Sequence, residues 1–127
     1  MDLNELVSAV NAKLQLERAE TQMTLGDLIA ALEAMPHGAE VANLQRPHSY
    51  RGYYSDLAFE LGDGLRSAKD LLTQCKAAMG TVFVGYKGGD YVMGKITPIW
   101  ISEYGSTSGT KLMAIRPGGE IETEQEE

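Results

Sequence analysis

Apolar residues recur at every third or fourth position in the first third of the chain, a spacing that predicts helices. The apolar stripe of the first segment consists of Leu3, Leu6, Val7, Val10 and Leu14. It predicts a helix over residues 2–16 that either packs on its own sheet or pairs with a second copy of the chain. A second helix begins after Thr24, which forms a capping-box pattern with Asp27, and it ends before Pro36.

Downstream, short runs of alternating apolar and polar residues stand between glycine-rich turns, a pattern typical of β-strands. The predicted strands cover residues 40–44, 56–61, 81–86, 91–93, 97–104 and 111–115. The residues of the second strand expected to point inward are Leu57, Phe59 and Leu61. A short helix from Ser55 is the alternative for this segment, and residues 62–64 are expected to form a turn. A third helix over residues 68–79 places Cys75 in the core, so the pattern predicts an α+β fold, a mostly antiparallel sheet with several helices packed on it.

The 127-residue chain has the hydrophobic fraction of an ordinary globular domain, 43%, and a net charge of −7. Positions 118–127 hold five of its 18 acidic residues and none of its 11 basic ones, which leaves 13 acids against 11 bases elsewhere. We therefore expect one folded domain over residues 1–117 and a disordered acidic tail over residues 118–127. Because the sequence has no basic patch, long apolar run or metal-ligand spacing, we expect no DNA, RNA, membrane or metal partner and no cofactor.

The most informative segment is a loop rich in tyrosine, residues 48–54, called the tyrosine loop below. Tyrosine rings offer flat faces to a nucleotide base, and a guanidinium forms paired hydrogen bonds with phosphate. The candidate ligand-binding residues here, with one arginine just upstream, are Arg46, His48, Tyr50, Arg51, Gly52, Tyr53 and Tyr54. The alternative is a structural loop whose tyrosines pack on the sheet while Arg51 pairs with Asp56.

Two glycine-containing turns add further candidates for ligand binding. They are Tyr86, Lys87, Gly88 and Gly89 in a hairpin turn and Tyr104 at the start of a second turn. Consecutive glycine amides next to a lysine suit an anion, although a plain structural turn is the alternative at both places. No nucleophile motif accompanies His48, so no catalytic residue is assigned and a non-catalytic binding protein is expected.

Three segments between residues 23 and 115 together resemble a family of small phage-encoded proteins, the first-described Thoeris anti-defence family. The segments are Thr-Leu-Gly-Asp-Leu-Ile at residues 24–29, His-Ser-Tyr-Arg-Gly-Tyr-Tyr-Ser-Asp-Leu-Ala-Phe-Glu at 48–60, and Gly-Tyr-Lys-Gly-Gly at 85–89. Members of that family bind cyclic ADP-ribose isomers made by bacterial TIR immune enzymes and hold them without cleavage, and some also bind cyclic oligonucleotides at a separate site. The resemblance implies a homo-oligomeric sponge in the host bacterial cytoplasm, with a cyclic ADP-ribose isomer and cyclic di- or trinucleotides as its ligands.

In such a sponge, a base is expected to stack on Tyr50 or Tyr53 while Arg51 binds phosphate. Lys87 and the glycine amides complete the anion site if the hairpin approaches the tyrosine loop. The resemblance leaves two alternative functions: an inhibitor that blocks a basic host protein with its acidic tail, and a small nucleotide phosphodiesterase.

Overall fold

The part of the chain that the computed structural model describes, residues 2–103, 106 and 108–125, folds into three helices and seven strands. The helices are α1 (Leu3–Thr21), α2 (Leu25–Glu33) and α3 (Ala68–Ala78). The strands are β1 (Glu40–Ser49), β2 (Leu57–Ser67), β3 (Val82–Val84), β4 (Asp90–Val92), β5 (Ile99–Ser102), β6 (Gly109–Ile115) and β7 (Ile121–Gln125). Five strands form one sheet in the order β1-β2-β5-β6-β7, antiparallel except for the β2–β5 pair, and β3 and β4 form a separate hairpin. The predicted α+β fold is confirmed.

The main core lies between helices α2 and α3 and one face of the sheet. Its fully buried side chains come from both layers and include Leu25, Leu28, Leu57, Phe59, Leu71, Cys75, Ile99 and Leu112. Both helices begin where the sequence predicts, since Thr24 caps α2 in a capping box with Asp27 and Ser67 caps α3. These caps satisfy N–H groups that the first helical turn leaves without an intrahelical partner.

The opposite face of the sheet, called the outer face below, carries a second cluster of buried side chains. Trp100 and Ala58 are fully buried there, and Tyr50 packs against them. Because successive side chains of a strand point to opposite faces, Leu57 and Phe59 face the main core while Ala58 faces outward. Tyr50, in the tyrosine loop, is therefore fixed to the outer face.

Strands β1 and β2 are both longer than predicted. β1 continues to Ser49 through a bulge at Arg46, whose φ of 53° lies in the left-handed region. β2 continues through residues 62–64, where its register with β1 shifts, so the predicted turn there is wrong. A Cβ at Gly62 would lie 2.7 Å from the side-chain amides of Asn43 and Gln45 across the strand pair. This glycine therefore permits close cross-strand packing rather than a turn.

The segment after the tyrosine loop is a strand, and the alternative helix from Ser55 does not form. Leu57 and Phe59 point inward as predicted. The predicted inward position of Leu61 is wrong, since this side chain is 53% exposed. The cause is the sheet topology: β2 pairs with β5 only as far as Phe59 and then extends past that strand.

Helix α1 is exposed over most of its length. It continues to Thr21 rather than ending at residue 16, and none of its residues is buried. The side chains of its apolar stripe are 44–74% exposed, so the prediction that the stripe packs on its own sheet is wrong. Its pairing with a second copy stays a prediction. None of the helices in the described residues is long and apolar enough to cross a membrane.

The acidic C-terminal segment forms strand β7, not the disordered tail that its charge predicts. β7 pairs antiparallel with β6 and sets Ile121 opposite Ile115. Glu122 forms an ion pair with Arg116 at the start of this hairpin. Without β7, strand β6 would expose a row of unpaired backbone groups, so backbone pairing supplies the order that the composition does not indicate.

Candidate functional site

The tyrosine loop is a compact connection between β1 and β2 that closes on itself through hydrogen bonds. The Tyr50 N–H donates to the Asp56 carbonyl at 2.9 Å, and the Asp56 N–H donates to the Tyr53 carbonyl at 2.9 Å. The Ser49 hydroxyl donates to the Tyr54 carbonyl at 2.5 Å. Because these bonds fix the backbone, the loop holds its side chains in a defined arrangement.

Asp56, two residues after this loop, is a fully buried carboxylate. Its two oxygens accept hydrogen bonds from Arg18 Nε at 2.7 Å and Arg18 Nη2 at 2.9 Å, and the indole N–H of Trp100 donates to it at 2.9 Å. The arginine that pairs with Asp56 is thus Arg18 of α1, and the alternative that assigns this role to Arg51 is wrong. A bidentate pair of this kind is stronger and more directional than a single charged contact.

Helix α1 holds the loop at a second point, where the Gln15 side-chain amide donates to the Ser55 carbonyl at 3.0 Å. Neither Gln15 nor Arg18 is among the candidates from the sequence. They lie 40 and 38 residues before their partners, so no local spacing connects them. The helix predicted from the sequence also ends at residue 16, and the structure continues it through Arg18.

Two of the loop's tyrosine rings pack against other side chains of the protein. The Tyr50 ring stacks on Trp100 with ring centroids 4.6 Å apart and planes 18° apart, and only 3% of Tyr50 is exposed. The Tyr53 ring lies 5.7 Å from the Trp100 ring and carries the Arg18 guanidinium 4.0 Å from its centre. The expected stacking of a base on Tyr50 is therefore wrong, because this ring has no open face. Tyr53 remains partly exposed beside Arg18.

The β3–β4 hairpin approaches the other side of the loop, which is the condition for a joint anion site. The Arg51 guanidinium lies over the Tyr86 ring, 3.7 Å from its centroid, and Tyr54 meets Tyr91 edge to face at 6.0 Å. Gly85 lets the hairpin fold tightly here, since a Cβ there would lie 2.9 Å from the Gly88 carbonyl oxygen and from the Tyr91 ring, and 3.4 Å from the Tyr54 ring of the loop. Two segments that are 35 residues apart in the chain thus form one surface, with Arg51 and Tyr86 at its centre.

The tip of this hairpin is an exposed turn that contains Lys87 and two glycines. Gly88 and Gly89 have φ values of 91° and 84°, a conformation that favours glycine. The Gly88 N–H donates to the Gly85 carbonyl at 2.8 Å within the turn. The expectation that both glycine amides face an anion is therefore wrong for Gly88, while the Lys87 ammonium stands at the exposed tip.

The remaining candidates lie elsewhere. Arg46 is paired with Glu60 at 3.6 Å and its side chain is 70% exposed, and His48 Nδ1 lies 2.7 Å from the Arg46 carbonyl. Both belong to the bulged end of β1, with His48 opposite Ala58 on the outer face. Gly52 is exposed in the loop. Tyr104 lies outside the described residues.

A cavity of about 300 Å³ lies between α1 and the tyrosine loop. Its walls include Leu14 and Arg18 of α1, Tyr53 and Tyr54 of the loop, and Tyr91 of the hairpin. Small-molecule sites commonly enclose about 300–1,000 Å³, so this cavity is at the lower limit for a nucleotide. A fully enclosed site for a ligand of that size therefore needs walls beyond those that this cavity provides.

No cluster of three or more histidine, cysteine, aspartate or glutamate side chains that suits a metal ion occurs in residues 2–103, 106 and 108–125. Burial raises the pKa of the Cys75 thiol to about 12, which makes this cysteine a poor nucleophile. Comparison of the chain with protein-family models, with curated proteins and with solved structures finds no match in any of the three.

Proposed function

We propose that this protein is a non-catalytic sponge that binds a cyclic ADP-ribose isomer and so blocks a bacterial TIR-based defence. The observation that carries the proposal is the contact between Arg51 and Tyr86, 3.7 Å from guanidinium to ring centre. It joins the two segments on which the resemblance to the anti-defence family depends, the tyrosine loop and the Gly-Tyr-Lys-Gly-Gly hairpin.

The chemistry of this surface suits an anionic nucleotide. The Arg51 guanidinium lies over the Tyr86 ring, and its five N–H donors form a planar fork that suits a phosphate. Lys87 adds a second positive charge at the exposed hairpin tip. The Tyr86 ring is 56% exposed and provides the base-stacking face that Tyr50 does not. Phosphate charge and base stacking are thus served by neighbouring residues.

The open character of this surface supports the proposal that the sponge is a homo-oligomer. A small ligand needs an enclosed pocket for tight binding, and a second subunit can supply the missing wall. The apolar stripe of α1 is the surface that we assign to this contact, because five large apolar side chains there are 44–74% exposed. α1 also borders the cavity beside the tyrosine loop, so a contact between subunits would lie close to the ligand.

Calorimetric titration with cyclic ADP-ribose isomers and with cyclic di- and trinucleotides tests the proposal. The protein is then boiled and the released ligand is identified by mass spectrometry. A sponge returns the ligand intact, a phosphodiesterase returns a hydrolysed product, and an inhibitor that acts only on a host protein binds no nucleotide.

Substitution of Arg51 tests whether the nucleotide binds at this surface. Arg51→Ala is expected to abolish binding, because it removes the guanidinium that lies over the exposed Tyr86 side chain, and a thermal melt checks that the variant is folded. Lys69→Ala, which removes an exposed positive charge on α3, is the matched control and should bind normally. Undiminished binding by folded Arg51→Ala would exclude this surface as the phosphate site.

A further inference from the structure

We propose that the cavity between α1 and the tyrosine loop binds an uncharged purine ring. The cavity has a volume of about 300 Å³, and every residue that lines it belongs to the described part of the chain. An engineered protein cavity of about 150 Å³ holds a benzene molecule, so this volume suits a system of two fused rings. The exposed Tyr86 ring does not line the cavity, which is therefore a second aromatic site beside the one around Arg51.

Three tyrosine rings from two segments of the chain form the aromatic walls of this cavity. Tyr53 and Tyr54 come from the tyrosine loop, and Tyr91 comes from β4. Tyr54 meets Tyr91 edge to face, with the ring centroids 6.0 Å apart. All three residues are partly exposed, so a ligand can reach them from solvent. Aromatic side chains of this kind stack with the flat face of a nucleobase.

Helix α1 forms a further wall, and this wall is held in place without a ligand. Asn11, Leu14 and Arg18 line the cavity and lie three and four residues apart, so they share one face of the helix. The Gln15 side-chain amide donates to the backbone carbonyl that follows the loop at 3.0 Å, and Arg18 pairs with Asp56. These contacts fix α1 against the loop, and small-molecule sites are usually pre-formed in this way.

The positive charge at the cavity is neutralised within the protein. Apart from Arg18, the described residues that line the cavity are uncharged. The Arg18 guanidinium donates to the buried Asp56 carboxylate at 2.7 and 2.9 Å and lies 4.0 Å from the centre of the Tyr53 ring. Because this pair has no net charge, the cavity offers little attraction to a phosphate, and burying a phosphate there would be costly. The cavity therefore favours an uncharged ring, whereas the surface around Arg51 favours an anion.

Asn11 supplies the polar group that can select among rings. A side-chain amide carries both donors and an acceptor, and asparagine pairs in this way with the amino group and ring nitrogen on one edge of adenine. Asn11 is exposed on the helix face that borders the cavity, so its amide is available to a ligand. Stacking on the tyrosines and pairing with Asn11 together favour adenine.

Two ligands carry such a ring: the proposed cyclic nucleotide and a separate purine nucleoside. Adenosine is the first probe because it has the purine and no phosphate, and uridine, whose base has one ring, is its comparison. Calorimetry measures each Kd. Titration of the cyclic ADP-ribose isomers with and without adenosine then identifies the source of the ring.

The variants change the α1 wall and leave the tyrosines and the Arg18 pair in place. Leu14→Trp fills the cavity from a residue that is 44% exposed, and Leu6→Trp makes the same change in the same apolar stripe away from the cavity. Asn11→Ala removes the amide, and Asn4→Ala is its control on the same helix. Thermal melts establish that each variant is folded.

We expect wild type to bind adenosine more tightly than uridine. Leu14→Trp should weaken adenosine binding by about tenfold or more, because the larger side chain occupies the space of the ring, and Leu6→Trp should leave it unchanged. Asn11→Ala should weaken it by about fivefold through the loss of its hydrogen bonds, and Asn4→Ala should not.

The cyclic nucleotide can give either of two results, and both support the pocket. Competition with adenosine, together with weaker binding by Leu14→Trp, assigns the nucleotide's own base to the cavity. Simultaneous binding assigns the cavity to a separate nucleoside and leaves the nucleotide's base on Tyr86.

Adenosine that fails to bind wild type, or that binds wild type and Leu14→Trp equally, would overturn the purine pocket and leave the sponge proposal intact. A side chain from a second copy of the chain would then be the occupant to test. Adenosine binding by a protein that binds no cyclic ADP-ribose isomer would overturn the proposed function and leave the purine pocket intact.

Discussion

Substituting either partner of the Arg18–Asp56 pair should destabilise the whole protein, and the loss of stability should be larger for Arg18 than for Asp56. In Arg18→Ala the carboxylate of Asp56, which is fully buried, loses two hydrogen bonds and its counter-charge. Breaking a buried ion pair in this way costs about 3–5 kcal/mol. In Asp56→Asn the Arg18 side chain, which is 13% exposed at the helix surface, can turn toward solvent, so we expect a smaller loss of about 1–3 kcal/mol.

The assay is urea denaturation followed by the fluorescence of Trp100, the only tryptophan in the chain. Its indole donates to Asp56 and stacks on Tyr50, so the signal reports directly on the tyrosine loop. With a denaturant slope of about 1–3 kcal/mol per molar, a loss of 3 kcal/mol lowers the midpoint by roughly 1–3 M urea. Lys13→Ala is the control, an exposed change in the same helix that should stay within about 0.5 kcal/mol of the parent.

The double variant with both changes completes a thermodynamic cycle. It removes the unpaired charge that Arg18→Ala leaves behind, so it should be more stable than Arg18→Ala alone, with a coupling energy of about 1 kcal/mol or more. If Arg18→Ala unfolds at the same urea concentration as Lys13→Ala, the pair contributes nothing and α1 does not hold the loop. If the two single losses simply add, the residues act separately and the pairing is refuted.

Two further changes probe the surfaces around the loop. Gly85→Ala should weaken nucleotide binding by about tenfold or more while the protein stays folded, because the added Cβ would lie 2.9 Å from both the Gly88 carbonyl oxygen and the Tyr91 ring and so distort the hairpin that faces the loop. Calorimetry against the parent protein measures it, and unchanged affinity would contradict a joint site. The double change Leu6→Asp and Val10→Asp places two charges in the α1 stripe. It should convert an oligomer into monomers, as measured by sedimentation velocity, because burying an unpaired charge in an apolar contact is costly. Ser8→Asp is the matched exposed control, and an oligomer that survives the double change would exclude the stripe as the contact.

Local signals in the sequence predict the parts of the fold that depend on near neighbours. Thr24 and Asp27 are three residues apart, and the capping box that they form needs no information from the rest of the chain. The alternation at residues 57–59 likewise assigns Leu57 and Phe59 to the core. These predictions succeed because a helix cap and a strand face are properties of a few consecutive residues.

The features that the sequence does not predict depend on distant partners. The acidic segment at the C-terminus has the composition of a disordered tail, and only its pairing with β6 makes it a strand. Gly62 is typical of a turn in the local pattern, and only the amide side chains of the neighbouring strand explain its place within β2. In the same way, nothing in the local sequence marks Arg18, because its role depends on the fold that places it beside Asp56.

The candidate site shows why a motif cannot be interpreted as one functional unit. Tyr50 lies in the same loop as Arg51, and Asp56 follows that loop by two residues, yet their side chains are buried in stacking and hydrogen bonds with Trp100 and Arg18. Changes at these two positions act on the loop's shape, and loss of binding in such variants would say nothing about ligand contacts. Arg51 differs because its guanidinium lies over the ring of Tyr86, a residue that is itself 56% exposed. The loop uses its buried residues for rigidity, so only the few side chains at its surface are available for binding. Substitutions at those surface positions are therefore the ones that test ligand contacts.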